Sequence, residues 1–190
     1  SPLDEPQYKA RFYFDPNSVI IPNNNGFSIF SGGGDAGSVF RLMLNNIGGS
    51  YKLQAQAYND ASGGVSGQQV AITDEPQVIE IAFQAASTAG ANDGYFELWL
   101  NDVLVDTIAG IDNDTRLMEY VNLGATASLD TGTSGTIYFD QFEAHYSAHI
   151  GPYSVSAIDT PAPLAHVPGN LFAISFHQPQ GFQIKSDAPA

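Results

Sequence analysis

Two carboxylates and a loop of oxygen-bearing side chains are the first residues in this sequence whose types and spacing suggest chemistry. Tyr95–Leu100 and Val103–Ile108 are alternating apolar runs separated by Asn101-Asp102, a dipeptide that tolerates the positive φ angles of a two-residue hairpin turn. In the register such a turn sets, Leu100 faces Val103, Leu98 faces Val105 and Phe96 faces Thr107 on one side, while Trp99 faces Leu104 and Glu97 faces Asp106 on the other. Opposed carboxylates repel, so Glu97 and Asp106 call for a cation or a shared proton. Asp112-Asn113-Asp114 follows at once as an oxygen cluster of the kind a hard cation takes, although an Asx-stabilised turn explains the same residues.

A second set of side chains suits sugars, whose rings offer apolar C–H patches ringed by hydroxyls. Trp99, Tyr95, Tyr58, Tyr13, Gln54, Gln56 and Arg41 all fall on outward faces by strand alternation and are expected to share one surface. Trp99 is the best single candidate. Tyr58 and Tyr13 read first as cross-strand packing partners.

The elements that must position these residues are strands. Tyr8–Phe14 alternates with Ala10, Phe12 and Phe14 inward, and Tyr51–Tyr58 with Tyr51, Leu53, Ala55 and Ala57 inward. Val39–Leu44, Gln68–Ile72, Pro76–Phe83, Leu117–Leu123 and Gly135–Glu143 read likewise, with Glu80 on the wet side of its strand, and Gly- and Asn-rich breaks lie between them. No stretch up to residue 143 has helical periodicity. About ten short strands predict an antiparallel β-sandwich.

Composition narrows the partners. Six Lys and Arg against 20 Asp and Glu leave a formal charge of −14, which repels nucleic acid and anionic membrane and makes calcium an expected ion. No apolar run approaches the ~20 residues of a membrane span. Without cysteine there is no disulfide, thiol nucleophile or thiolate metal site. The chain opens on Ser1-Pro2, which reads as a processed product or a fragment, and its Gly, Asn, Asp and Ser clusters suit an extracellular or cell-surface protein.

Residues 1–145 are read as the sandwich and 146–190 as a Pro-rich extended tail holding six of the 11 prolines and three of the four histidines. Its apolar pieces need a surface to cover, and Leu171, Phe172, Ile174 and Phe176 are the candidate assembly contacts, within the chain or with another copy.

The order of these signals, namely a Gly-rich loop, two long alternating strands, Ile79-Glu-Ile-Ala-Phe83, the Gly94-to-Val103 hairpin, Val121-Asn-Leu-Gly124 and Gly135-Thr-Ile-Tyr-Phe-Asp-Gln-Phe142, resembles the concanavalin A-like lectin/glucanase superfamily, especially its laminin-G-like bacterial members. The resemblance covers residues 8–143 and implies a jelly-roll sandwich of two curved sheets with ligands on the concave sheet or its rim. It implies a structural calcium at Asp140, in Tyr138-Phe139-Asp140. It also implies a strand beside the last one, before Tyr8, for which too few residues remain; the tail is expected to fill that slot.

The catalytic marks of the relatives are missing. There is no Glu-x-Asp-x-x-Glu strand, Asp140 and Glu143 fall on opposite faces by alternation, and the Gln-x-His and Arg-rich strands of the related alginate lyases are absent. No Gly-x-Ser-x-Gly elbow occurs. The expectation is therefore a non-catalytic module binding a glycan or a surface protein. One alternative is a structural subunit that self-associates by strand addition through its tail, and another is a diverged glycoside hydrolase.

Overall fold

The computed structural model describes residues 4–146, 150–151, 172–176 and 183–186. No helix occurs among them, and the strands form two antiparallel sheets packed as a jelly-roll β-sandwich. The seven-stranded sheet runs in the order β12 (Gln183–Ser186), β11 (Phe172–Phe176), β10 (Gly135–His145), β1 (Gln7–Asp15), β6 (Gln77–Gln84), β7 (Gly94–Leu100) and β8 (Val103–Ile111). The five-stranded sheet runs β5 (Gly64–Ala71), β4 (Ser50–Tyr58), β3 (Gly37–Ile47), β2 (Asn25–Gly34) and β9 (Tyr120–Ala127). The period-two reading of β1 and β4 holds: Ala10, Phe12, Phe14, Leu53, Ala55 and Ala57 are fully buried.

Aromatic rings from both sheets fill the space between them. Phe12 of β1 meets Phe30 of β2 edge to face at 5.2 Å, Phe30 meets Phe40 of β3 at 5.4 Å, and Phe40 meets Phe96 of β7 at 5.2 Å. At such separations ring pairs add roughly 0.5–1.5 kcal/mol each beyond the area they bury. This continuous stack makes the two sheets one folding unit.

Two bulges change which side chains share a face. The Asn101-Asp102 turn has φ of 50° and 66°, the primed turn expected, and Leu100 pairs with Val103. Beyond Trp99–Leu104 the register then slips by one, so Leu98 faces Asp106 and Glu97 faces Thr107. The expected Glu97–Asp106 opposition does not form. Instead Asp106 turns inward, 6% exposed, and accepts the Gln68 N–H of β5 at 3.0 Å. A Cβ at Gly67 would lie 1.8 Å from Asp106 Oδ2, so the contact that ties β8 to β5 requires glycine there. The second bulge lies at Gln141, with φ of 50°: Tyr13 pairs with Asp140 and Arg11 with Glu143, which puts Asp140 and Glu143 on one face, not on opposite faces.

The expected slot beside the last strand is taken by the tail of the same chain. β11 pairs with β10 through Ile137–Ile174 and Phe139–Phe172, and β12 continues the sheet. Phe172, Ile174 and Phe176 belong to that strand, and Leu171 lies outside the described residues.

Candidate functional site

The outer face of the five-stranded sheet is built from the alternate positions of β3 and β4. With Phe40, Leu42, Leu44, Leu53, Ala55 and Ala57 buried, Arg41, Met43, Asn45, Lys52, Gln54, Gln56 and Tyr58 look outward. Arg41 lies opposite Gln56, Gln56 opposite Ser66, Met43 opposite Gln54 and Gln54 opposite Gln69, giving rows of amides and hydroxyls across three strands. The Tyr58 hydroxyl donates to Gln56 Oε1 at 2.8 Å, and the Arg41 guanidinium lies 5.6 Å from the Tyr58 ring centre. Gln54 Nε2 donates to the Gly67 carbonyl at 3.0 Å. No aspartate or glutamate occurs in β2, β3, β4, β5 or β9, although the chain has 20 of them. Arg41 and Lys52, two of the chain's six basic residues, are on these strands.

Trp99 and Tyr95 are not on this surface. They belong to β7, where Trp99 lies opposite Glu80 and Leu104 and Tyr95 opposite Gln84 and Ala109, on the outer side of the seven-stranded sheet. The single surface expected for Trp99, Tyr95, Tyr58, Gln54, Gln56 and Arg41 is therefore two surfaces on opposite sides of the sandwich. Alternation tells inward from outward but not one sheet from the other.

The seven-stranded face centres on Arg11, whose partners on the adjacent strands are Glu80 and Glu143. Arg11 Nη2 donates to Glu143 Oε2 at 2.8 Å, and His145 Nε2 lies 2.8 Å from Glu143 Oε1. The His145 hydrogen bond, followed by the Arg11 charge, holds the Glu143 carboxyl below the usual carboxylate range. The expectation that Glu80 is on the wet side fails in one respect: Arg11 and Glu80 face outward but are 4% and 2% exposed, because Ile150 and Gly151 lie over them. Nothing in a proline-rich tail signals that contact.

A third group sits in the loops. Carboxylate oxygens of Asp60, Asp112 and Asp114 all lie within 4.8 Å of one another. The sequence marked Asp112 and Asp114; Asp60 comes from the β4–β5 loop and joins them through its N–H to the Asp112 carbonyl at 2.9 Å. Asp112 Oδ1 accepts the Gly90 N–H at 2.8 Å, and Asp60 Oδ1 accepts the Thr115 hydroxyl at 2.6 Å. The buried Arg116 guanidinium binds the carbonyls of Ala36, Asn59 and Asp60, so it ties three loops together through backbone oxygens. The hydrogen bond that a protonated Asp114 gives to Asp60, with some burial and the charges of Asp60 and Asp112, pushes the Asp114 carboxyl up. Asp140 is not in this group; its Oδ1 accepts the Gln141 N–H at 2.8 Å and braces the bulge.

No protein-family model matches the chain, and no curated relative is found by sequence. Among solved structures it is similar to the alginate lyase Aly36B, at 13% identity and a TM-score of 0.56 over 76% of this chain and 72% of that one. It is also similar to the alginate lyase vAL-1 from Chlorella virus, at 14% identity and a TM-score of 0.52 over 76% and 73%. The likeness is one of fold. It corrects the expectation of a non-catalytic, non-enzymatic module, since both of these proteins are alginate lyases. That expectation rested on three absences, the Glu-x-Asp-x-x-Glu strand, the Gln-x-His and Arg-rich strands of alginate lyases and the Gly-x-Ser-x-Gly elbow, and each of them excludes one residue set.

Proposed function

We propose that the protein cleaves an acidic polysaccharide by lyase-type elimination on the outer face of its five-stranded sheet. The observation that carries this is the absence of any carboxylate from the five strands of a chain whose formal charge is −14. Such a face can approach a uronate chain that the rest of the molecule repels, and charge is focused locally even where the net charge is opposed.

Elimination needs neither a water nucleophile nor a pair of carboxylates. A group must neutralise the sugar carboxylate so that the proton on the adjacent carbon becomes acidic. A base then removes that proton, the bond from the β-carbon to the glycosidic oxygen breaks with its electron pair, a carbon–carbon double bond forms, and the departing oxygen is protonated. Arg41, with the amides of Gln54 and Gln56, supplies donors for the carboxylate. Tyr58, hydrogen-bonded to Gln56 and beside Arg41, supplies the hydroxyl for proton transfer. No histidine occurs in β2, β3, β4, β5 or β9, which leaves proton transfer on this face to tyrosine.

The test is incubation with uronate-containing and neutral polysaccharides, followed by absorbance of the new double bond. Activity on the uronate substrates, lost in Tyr58→Phe, is the expected result. Cleavage that adds water and forms no double bond, or no cleavage of any uronate polymer, overturns the proposal.

The concanavalin A-like superfamily as the remote home of this sandwich, and an extracellular location, belong to the same reading, and the Gly, Asn, Asp and Ser clusters of the chain support the location. So does a structural calcium held by Asp60, Asp112 and Asp114. It is supported by Asp114 Oδ1, shielded from solvent and without a hydrogen-bond partner. Its part would be neutralisation of three clustered charges. The pairing of β11 with β10 of the same chain supports a tail that completes its own sheet over one that links copies.

A further inference from the structure

Arg11 and Glu80 take no part in the proposed elimination, and their burial is unusual for side chains on the outer side of a sheet. They are covered by Ile150 and Gly151, the first described residues after Tyr146. The Ile150 N–H donates to Glu80 Oε1 at 2.8 Å and the Gly151 N–H to Glu80 Oε2 at 3.0 Å, so each carboxylate oxygen receives one of two successive amides. The Gly151 carbonyl accepts from Arg11 Nη1, while Arg11 Nη2 is held by Glu143. Two acceptors and one donor are thus presented in the order in which a peptide offers N–H, N–H and C=O. Charge-assisted hydrogen bonds of this kind are stronger than neutral ones, and more so when shielded from water. Gly151 has φ of +69°, a conformation open to glycine and strained for a residue with a Cβ.

We propose that Glu80 and Arg11 form a binding site for peptide backbone whose ligand is Ile150–Gly151 of the same chain. This latch seats the C-terminal tail on the seven-stranded sheet and so aligns β11 along β10. It has two requirements: a carboxylate at position 80, because a glutamine would turn its NH2 donor toward one of the two N–H groups, and a glycine at position 151. The site is independent of the five-stranded face, so loss of one reading leaves the other intact.

Residue-resolved amide hydrogen exchange on the full chain tests it. In the wild type, the Ile150 and Gly151 amides should exchange at least about 100-fold more slowly than in an unstructured peptide. Glu80→Gln should speed both by about tenfold or more and also loosen the amides of residues 172–176, with β6 and β7 still protected. Gly151→Ala keeps both charges in place and should do the same, and it decides the matter alone if Glu80→Gln fails to fold. Trp99, the only tryptophan and the cross-strand neighbour of Glu80, should shift its emission in the same variants. Exchange of Ile150 and Gly151 at unstructured rates in the wild type, or protection unchanged in Gly151→Ala, overturns the latch.

Discussion

The two outer faces of this sandwich rest on one shared aromatic core and have been given opposite chemistry. The five-stranded face holds no carboxylate in its strands, and Arg41 there is half-buried beside a tyrosine ring and an amide. The seven-stranded face holds Asp15, Glu80, Glu97, Asp140 and Glu143, and Arg11 at its centre is taken up by Glu143 and by the tail. In the proposed reading Arg41 meets a ligand from outside, whereas Arg11 is bound to Glu143 and to the Gly151 carbonyl of its own chain. The difference teaches that a sheet's outward side is not automatically a site: what decides is which side the chain itself covers.

Substituting the two arginines breaks this comparison if it is wrong. Arg41→Ala should lower turnover on a uronate polysaccharide at least about 100-fold, a loss typical of removing a group that stabilises developing charge, and should change the unfolding free energy by less than about 0.5 kcal/mol. Arg11→Ala should reverse the pattern. It removes the bonds of a buried guanidinium to Glu143 and to the Gly151 carbonyl and should cost about 1–3 kcal/mol of stability, read by urea denaturation, with turnover of the remaining folded protein within about threefold of wild type. A stable Arg11→Ala with lost activity would move the site to the other face.

The core and the turn were legible and the faces were not. Phe12 and Phe14, or Leu53, Ala55 and Ala57, declare themselves because period two and burial agree, and Asn101-Asp102 declares a primed turn because few residues accept two positive φ values. The bulges beside Asp106 and at Gln141 carry no such mark. A bulge is one extra residue in a ladder, and its energy lies in partners far along the chain, here Gln68 for Asp106. Trp99 and Arg41 both read as outward because alternation is a property of one strand, whereas their separation is a property of sheet order. Asp60 was missed for the same reason: only loop packing 52 residues away in sequence, onto Asp112, brings it to the cluster.

Acid should separate two of these regions by sign. The Asp114 carboxyl is raised in the folded protein, so the fold binds that proton more tightly than the unfolded chain does. The stability from it is full below the ordinary aspartate range and is lost as pH rises through the raised value. The Glu143 carboxyl is lowered, so its contribution is present above the ordinary glutamate range and is lost as pH falls through the lowered value. In the absence of divalent cations, the melting temperature should therefore rise slightly as pH falls from neutral toward the ordinary aspartate range and then drop in stronger acid. Calcium at neutral pH should raise it and flatten the first limb, and Asp114→Asn should remove that limb. A first limb indifferent to both calcium and Asp114→Asn would sink the cation site.

The smallest expected effect concerns the hairpin carboxylates. Were Glu97 and Asp106 opposed, neutralising Glu97 would relieve a repulsion and stabilise the protein at neutral pH, by roughly 0.2–1 kcal/mol for a cross-strand pair. In the bulged register Glu97 faces Thr107, and Asp106 is committed to the Gln68 amide on the inner side. Glu97→Gln should then leave the unfolding free energy within about 0.5 kcal/mol, as for an ordinary surface change. Asp106→Asn should destabilise by about 1–3 kcal/mol, because a buried acceptor loses its charge and gains donor hydrogens with no place to go. The pair of measurements reads the bulge directly: stabilisation by both substitutions would mean that the two groups face each other after all, and a neutral Glu97→Gln beside a costly Asp106→Asn would mean that one extra residue in β8 has turned a predicted site into a strut between the sheets.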